Sequence, residues 1–143
     1  MESAFLNYIT VTNLPIIETV GGSVLKGLLK TDSTFNGFGE AYFSEVEPGA
    51  IKGWKYHKEM TLNLIVPKGQ VKFVFCIQEE DTDKFEEIVI GKEMYARITV
   101  KPGIWFGFQG VHSETSLVLN IADILHRAEE VDRLGLNDIK YNW

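Results

Sequence analysis

Short strand-like stretches, separated by glycine and proline turns, run along most of this chain and constrain its fold more than any other feature. Turn signals stand at Asn36-Gly37, Pro48-Gly49 and Pro102-Gly103, among others. Regular spacing of this kind is typical of an all-β sandwich or barrel. The predicted strands are Phe5–Thr12, Ser23–Leu29, Glu40–Val46, Ile51–Tyr56, Leu62–Val66, Gln70–Ile77, Phe85–Ile90, Ala96–Val100 and Ser116–Ala122.

Two of these stretches indicate how their strands are oriented. In Gln70–Ile77 the large apolar residues Val71, Phe73 and Phe75 recur at every second position, so one face of this strand is predicted to point into the core. The stretch Leu62–Val66 is apolar on both faces, which predicts a position in the middle of a sheet.

A segment near the end of the chain has a different pattern. Residues 123–134 carry a modest apolar stripe at helical spacing, with Asp123 as a candidate N-cap and Gly135 as a candidate C-terminal glycine. The sequence therefore predicts a short C-terminal helix in an otherwise all-β domain.

Length and composition bound the organisation of the chain and its partners. The 143 residues suffice for one domain with a proper core, predicted to span 1–143. A net charge of −6 argues against nucleic-acid binding, which needs a basic face, but leaves room for a local basic pocket for one diphosphate. The single cysteine, Cys76, excludes an internal disulfide and favours a reducing compartment. There is no signal peptide and no apolar run of about 18 residues, so we expect a cytoplasmic chain without a membrane partner.

A histidine-containing stretch between two glycines resembles the first metal-binding motif of the cupins, which are jelly-roll β-barrels. In that motif a Gly is followed after five residues by His-x-His, then by a Glu, and after six more residues by a closing Gly. Gly49, His57 and Gly69 match this motif. The resemblance implies a cupin-type jelly-roll β-barrel with the strand Ile51–Tyr56 on its wall.

The other ligand positions of the motif are changed. Lys55 stands in place of the first His, Leu62 in place of the Glu, and Phe106 in place of the His that follows a second Pro-Gly turn. A divalent metal needs three or four convergent N, O or S ligands, and a lysine ammonium would repel it. We therefore predict no metal and no other cofactor. Since side chains two residues apart share one face of a strand, Lys55 and His57 are predicted to point together into the barrel.

Three short motifs resemble the dTDP-4-dehydrorhamnose 3,5-epimerases and the related dTDP-sugar 3,4-ketoisomerases. Lys52–Lys58 resembles the ketoisomerase sequence Arg-Gly-x-His-Ala-His-Lys. Ile104–Phe108 resembles Val-Trp-His-Gly-Phe, and Leu136–Trp143 resembles the closing Trp-Asn-Asp-Pro…Trp of the epimerases. The resemblance extends over most of the chain, from the region of Gly21 to the final residue.

The resemblance implies a chemistry that removes a proton next to a ketone and returns a proton elsewhere. In the epimerases a His oriented by an Asp is the base and a Tyr is the acid. A Lys stabilises the enolate oxygen, and an Arg contacts the nucleotide diphosphate. Here Asp138 stands in the place of the orienting Asp and Lys52 in that of the Arg. Lys55 replaces the basic His, and Asn120 falls near the position of the Tyr.

These replacements leave three outcomes open. A desolvated Lys55 beside Asp138 acts as the base, or His57 does, as the second His of the ketoisomerase pair, or the pocket binds without catalysing. The predicted function is a metal-independent epimerase or ketoisomerase of a nucleotide-linked 4-keto-6-deoxy sugar in surface polysaccharide synthesis. The alternative is an inactive relative that binds a sugar nucleotide or another small ligand.

Further substrate contacts and an assembly are also predicted. Tyr42 and Phe43 are candidates to stack on the base or the sugar, and Asn120 and Phe106 are candidate pocket residues. Relatives of this family dimerise by exchanging an N-terminal strand. The resemblance therefore implies a homodimer, formed through the apolar region Phe5–Ile17.

Overall fold

Residues 4–143 are described by a computed structural model, and nearly every element in them is a β-strand. The exceptions are two 3-10 turns, Ala4–Asn7 and Ala128–Glu130. No helix in this part of the chain has the length and hydropathy needed to span a membrane. The strands are β1 (Ile9–Asn13), β2 (Ile16–Ile17), β3 (Val24–Leu25), β4 (Glu40–Val46), β5 (Ile51–His57), β6 (Leu62–Lys68), β7 (Gln70–Gln78), β8 (Asp83–Gly91), β9 (Ala96–Val100), β10 (Trp105–Gly110), β11 (Ser116–Ala122) and β12 (Val131–Arg133).

Two five-stranded antiparallel sheets make up the body of the protein. Sheet 1 has the order β1-β9-β6-β11-β4, and sheet 2 has the order β12-β5-β10-β7-β8. A separate hairpin pairs β2 with β3. The all-β prediction is confirmed, although the sheets of residues 4–143 do not close into one continuous barrel.

The strand predictions agree with the structure best where alternation is strong. The bounds of β4, β9 and β11 are as predicted, and β6 lies in the middle of sheet 1 between β9 and β11. No strand is predicted at β2, β10 or β12. The six residues of β10 include Gly107 and Gly110, and glycine weakens the strand signal of a sequence.

The main core fills the space between the sheets. Val71, Phe73 and Phe75 of β7 are completely buried there, as their period of two predicts. The turns that frame β5 and β6 use glycines with left-handed backbone, Gly49 with φ 79° and Gly69 with φ 87°. These two glycines are the ones that match the motif noted above.

A second apolar layer covers the outer face of sheet 2. Trp54 and Cys76 lie there under the C-terminal residues Ile139, Tyr141 and Trp143. Burial and the nearby charge of Asp83 raise the pKa of the Cys76 thiol to about 12, so this thiol is structural. The tail therefore supports β5, β7 and β10 from behind.

The helix predicted over residues 123–134 is wrong. These residues form an irregular segment, the 3-10 turn Ala128–Glu130, and β12, which pairs with β5. Asp123, predicted as an N-cap, instead accepts hydrogen bonds from the amide of Thr61 at 2.8 Å and from Asn36 Nδ2 at 2.9 Å. Strand pairing and these tertiary hydrogen bonds outweigh a modest helix propensity.

Candidate active site

A cavity of about 300 Å³ lies between the two sheets. It is bounded by β4, β6 and β11 of sheet 1 and by β5, β10 and β12 of sheet 2, and its size suits a small-molecule ligand. The lining residues are Tyr42, Ser44, Lys52, Gly53, Trp54, Lys55, His57, Leu62, Leu64, Phe106, Phe108, Val118, Asn120, Arg133 and Leu134.

A β-bulge in β5 brings two lysines to the same wall of this cavity. Phe106 of β10 pairs with Lys55, but Phe108 pairs with Lys52, so the step is longer in β5 than in β10. A strict period of two would place Lys52 and Lys55 on opposite faces, and the bulge aligns them. Lys52, Lys55 and His57 therefore all line the cavity.

His57 is held from behind by a buried carboxylate. Its Nδ1 lies 2.9 Å from Oε2 and 3.2 Å from Oε1 of Glu130. The amides of Met60 and Glu59 donate to Glu130 Oε1 at 2.8 and 3.1 Å. Burial alone would raise the pKa of the Glu130 carboxyl, but the hydrogen bonds from His57, Met60 and Glu59 outweigh it and hold this pKa below its usual value. Glu130 is therefore a carboxylate at neutral pH, although it is only 1% exposed.

This contact fixes which ring nitrogen of His57 carries the proton. Since a carboxylate only accepts hydrogen bonds, Nδ1 is the donor to Glu130, and the lone pair of the neutral ring is on Nε2. The His57 ring stacks on Phe106 with centroids 6.3 Å apart, and 12% of its side chain is exposed. With Nδ1 occupied, Nε2 is the nitrogen available to a ligand, which is the arrangement of a general base.

Three cationic side chains line the cavity, those of Lys52, Lys55 and Arg133. Arg133 lies on β12 directly opposite Lys55 of β5. Within residues 4–143 none of the three forms an ion pair. Burial lowers the pKa of Lys55, and the charges of Arg133 and Lys52 lower it further. Uncompensated cations at the wall of one cavity, in a chain of net charge −6, indicate an anion-binding site.

The wall contributed by sheet 1 carries a hydrogen-bonded tyrosine. Tyr42 of β4 and Asn120 of β11 are paired across the two strands, and Asn120 Nδ2 donates to Tyr42 Oη at 2.8 Å. Asn120 is 7% exposed, and its buried Oδ1 has no hydrogen-bond partner among the described residues. A buried acceptor without a donor costs about 1–3 kcal/mol, so this oxygen is suited to a donor group of a ligand.

The remainder of the cavity wall is apolar. Leu62 and Leu64 of β6, Phe108 of β10 and Val118 of β11 contribute to it, together with Phe106. A cavity with a cationic part and an apolar part fits a ligand that combines an anionic group with a less polar one.

The structure brings together six of the eight predicted site residues at this cavity: Lys52, Lys55, His57, Tyr42, Asn120 and Phe106. Phe43 is not among them, because it follows Tyr42 on β4 and is 60% exposed. Asp138 is also outside the cavity lining. Its Oδ2 accepts a hydrogen bond from the amide of Gly135 at 2.6 Å, which is local turn chemistry.

Two residues of the site are missing from the sequence prediction, Glu130 and Arg133. Both lie in the segment that was expected to be helical. The alternation in β12 extends over only three residues, Val131–Arg133, and is too short to indicate a strand.

The residues of the cavity do not fit a divalent metal. No three His, Cys, Asp or Glu side chains converge within residues 4–143. His57 is the one candidate ligand among the cavity-lining residues, and three cations share the cavity with it.

Comparisons with known proteins place this chain in a family. The chain matches no family model. Over 96 residues, 64% of the chain, it is 28% identical to a probable low-salt glycan biosynthesis epimerase, Agl13, from Haloferax volcanii, and it covers 62% of the length of that protein. It is 32% identical to a dTDP-sugar isomerase from Desulfovibrio desulfuricans whose structure has been solved. That match covers 94% of this chain and 90% of the other, with a TM-score of 0.88.

More distant structures share the fold. One is QdtA, a sugar 3,4-ketoisomerase from Thermoanaerobacterium thermosaccharolyticum in complex with TDP, with 18% identity, 90% coverage of both chains and a TM-score of 0.72. Another is dTDP-4-dehydrorhamnose 3,5-epimerase from Bacillus anthracis, with TDP and PPi bound. The two chains are 15% identical with a TM-score of 0.76, and the match covers 100% of this chain and 88% of the Bacillus anthracis chain. The fold is thus that of the sugar-nucleotide epimerases. The chain belongs to the family of the dTDP-sugar isomerases, as a divergent member.

Proposed function

We propose that this chain is a metal-independent epimerase or ketoisomerase of a nucleotide-linked 4-keto-6-deoxy sugar. The observation that carries the proposal is the His57–Glu130 pair at the wall of a cavity lined by cations. Abstraction of a proton next to a ketone needs a base, and the enolate that forms needs a positive charge close by. His57 and Lys55 are side chains of these two kinds on one strand.

In the proposed reaction His57 Nε2 removes a proton from the carbon next to the ketone. The electron pair of that C–H bond forms the enolate, whose oxygen is stabilised by the ammonium group of Lys55. Glu130 keeps the imidazole ring oriented and stabilises its charged form. The role that the sequence suggested for Asp138 therefore falls to Glu130 in this proposal.

The cations that remain would hold the nucleotide. Lys52 and Arg133 lie on neighbouring strands, and neither forms an ion pair within the described residues. Arginine binds two phosphate oxygens at once, whereas lysine acts as a point charge. We assign the diphosphate to these two side chains, and the deoxy carbon of the sugar to the apolar wall around Leu62 and Leu64.

We assign the fold more finely as a cupin-type jelly roll within a single domain. From β4 to β11 the chain crosses from one sheet to the other at every connection except that between β7 and β8. Eight strands divided in this way between two sheets are typical of a jelly roll. Both sheets contribute to one main core, which supports a single domain.

We propose that the protein is a homodimer. The hairpin of β2 and β3 carries exposed Ile16, Ile17 and Val24, and Val20 at its turn is fully exposed. In addition, β1 is an edge strand, which another chain can extend. Light scattering should give a mass of two chains, and a mass of one chain would contradict the proposal.

We also propose a role in the synthesis of surface glycans in the cytoplasm. Glycan synthesis is supported by the name of the Haloferax volcanii relative, which covers part of this chain. The location is supported by a buried lone cysteine, Cys76, which suits a reducing compartment.

Solvent exchange tests the proposed chemistry. The protein is incubated with dTDP-4-keto-6-deoxyglucose in D2O, and deuterium at the carbons next to the ketone is followed by NMR. We expect exchange with the wild type and a loss of about 10³-fold with His57→Asn. Binding of this substrate and of related keto sugars without exchange would establish the alternative, an inactive sugar-nucleotide-binding relative.

A further inference from the structure

The tyrosine–asparagine pair on sheet 1 has no role in the proton abstraction described above. Tyr42 and Asn120 line the cavity from β4 and β11, whereas His57 lines it from β5 of the facing sheet. A ligand in this cavity thus has a base on one side and a phenol on the other. The resemblance described under Sequence analysis implies that Asn120 falls near the position of the family's acidic tyrosine.

The hydrogen bond between these two side chains gives the phenol a direction. Asn120 Nδ2 donates to Tyr42 Oη at 2.8 Å, so the phenol oxygen is an acceptor in this contact. A phenol oxygen that accepts a hydrogen bond from its neighbour leaves its own O–H free to donate to another acceptor. Tyr42 lies at the cavity wall, and Asn120 is buried beside it.

The side-chain amide oxygen of Asn120 also indicates that a ligand binds here. Its Oδ1 is buried and has no partner among the described residues, although the residue is 7% exposed and lines the cavity. A sugar hydroxyl is a donor that would satisfy this oxygen. Asn120 would then hold the sugar ring and the phenol of Tyr42 at the same time.

We propose that Tyr42 is the proton donor of the reaction and that Asn120 is the residue that positions it. The inference rests on the proposed function and narrows it to an epimerase that inverts a carbon next to the ketone. Removal of a proton from one side of the ring and its return from the other side inverts that carbon. Tyr42 thus replaces, from a neighbouring strand, the acid that is missing at Asn120.

The step conserves atoms and charge. His57 Nε2 takes the proton, and the electrons of the C–H bond move through the C–C bond to the ketone oxygen as the enolate. When these electrons return, the carbon takes the proton of Tyr42 Oη from the opposite face. The phenolate and the imidazolium then exchange a proton through solvent, which restores both residues.

The test separates exchange from inversion. Wild type, Tyr42→Phe and the control Tyr56→Phe are incubated with dTDP-4-keto-6-deoxyglucose in D2O, and both deuterium content and configuration are read by NMR. Tyr56 is a matched control because its ring packs against Trp105 in a tilted arrangement, with centroids 5.2 Å apart, and does not line the cavity. We expect Tyr42→Phe to lose about 100-fold in inversion while His57 still exchanges deuterium with retention. Tyr56→Phe should behave as wild type.

A second variant covers the possibility that the first perturbs the fold. In Asn120→Asp the carboxylate accepts a hydrogen bond from the Tyr42 hydroxyl, so that this hydroxyl no longer points into the cavity. The rate of inversion should again fall while deuterium exchange persists. Inversion at the wild-type rate in Tyr42→Phe, or loss of exchange together with inversion, overturns the inference. A ketoisomer without inversion from the wild type also overturns it, yet leaves the proposed function intact. Only a wild type that exchanges no deuterium refutes the proposed function itself.

Discussion

Two neighbouring regions form one wall of the cavity, and they contribute different kinds of groups. Strand β5 lies inside sheet 2 and carries Lys55 and His57, the groups proposed to contact the reacting atoms. The segment 128–133 forms the edge of that sheet and carries Glu130, which contacts His57, and Arg133, which lies opposite Lys55. The chemistry of a central strand therefore depends on the short edge strand beside it.

The difference also concerns burial and charge. Glu130 is 1% exposed and is satisfied by His57 and two backbone amides, so it is fixed in place. Lys55 and Arg133 face one another without a carboxylate between them, which makes their side of the cavity receptive to an anion. Strand β5 supplies the reactive groups. The segment 128–133 sets their orientation and part of the electrostatic potential around them.

Among the cations of the cavity, the largest effect is expected from removal of the charge of Lys55 on β5. Lys55→Met should slow deuterium exchange about 100-fold, because an enolate loses the cation beside it. Lys58→Met is the matched control, since Lys58 is half exposed and pairs with Asp132 outside the cavity. Equal exchange rates in the two variants would show that Lys55 does not act on the enolate.

A smaller effect is expected from the cation of the edge strand. Arg133→Met should weaken TDP binding about tenfold in calorimetry, since it removes one of the two side chains assigned to the diphosphate. Arg127→Met, six residues earlier, should leave the affinity unchanged because Arg127 pairs with Glu59 away from the cavity. Thymidine, which lacks phosphate, should bind both variants alike. A tenfold loss for thymidine as well would contradict a phosphate contact.

Acid unfolding should reveal the carboxylate of the edge segment. The folded-state pKa of Glu130 is lowered, so its contribution to stability is present above the unfolded value of about 4.3 and is lost as pH falls through the folded value. Glu130→Gln should therefore lower the free energy of unfolding by about 2 kcal/mol at pH 6. The difference in free energy of unfolding between wild type and variant should become smaller as pH falls to about 3. Urea unfolding at these two pH values measures the difference, and an equal difference at both would contradict a stabilising role of the Glu130 carboxylate.

The smallest effect is expected at Asp138. Asp138→Asn should change deuterium exchange less than about twofold and stability by about 1 kcal/mol or less, because the carboxylate caps a local turn. A large loss of exchange with an intact fold would restore the orienting role that the family pattern suggests for this residue.

These expectations reflect what local sequence can predict. The period of two within β5 places Lys55 and His57 on one face, and the resemblance to the cupin motif implies that this face points inward. The buried face of β7 follows from Val71, Phe73 and Phe75. The direction of Lys52 does not follow from that period, because it depends on a bulge opposite Phe106 and Phe108. Period alone carries no information on such an irregularity.

The residues that the sequence does not predict depend on partners far along the chain. Glu130 accepts from the amide of Met60, 70 residues away in sequence. Asp123 likewise accepts from Thr61, although its position beside an apolar stripe resembles that of a helix cap. Propensity describes only near neighbours, so tertiary hydrogen bonds of this range override it without a local signal.

The central claim is that Glu130 completes the base on β5. The most direct test compares Glu130→Gln with Glu129→Gln, an exposed neighbour, in deuterium exchange and in TDP binding. We predict that Glu130→Gln slows exchange about 100-fold while TDP affinity stays within about twofold, because the amide no longer stabilises the charged ring of His57. Glu129→Gln should match the wild type in both measurements. Equal exchange rates for the two variants would contradict the account.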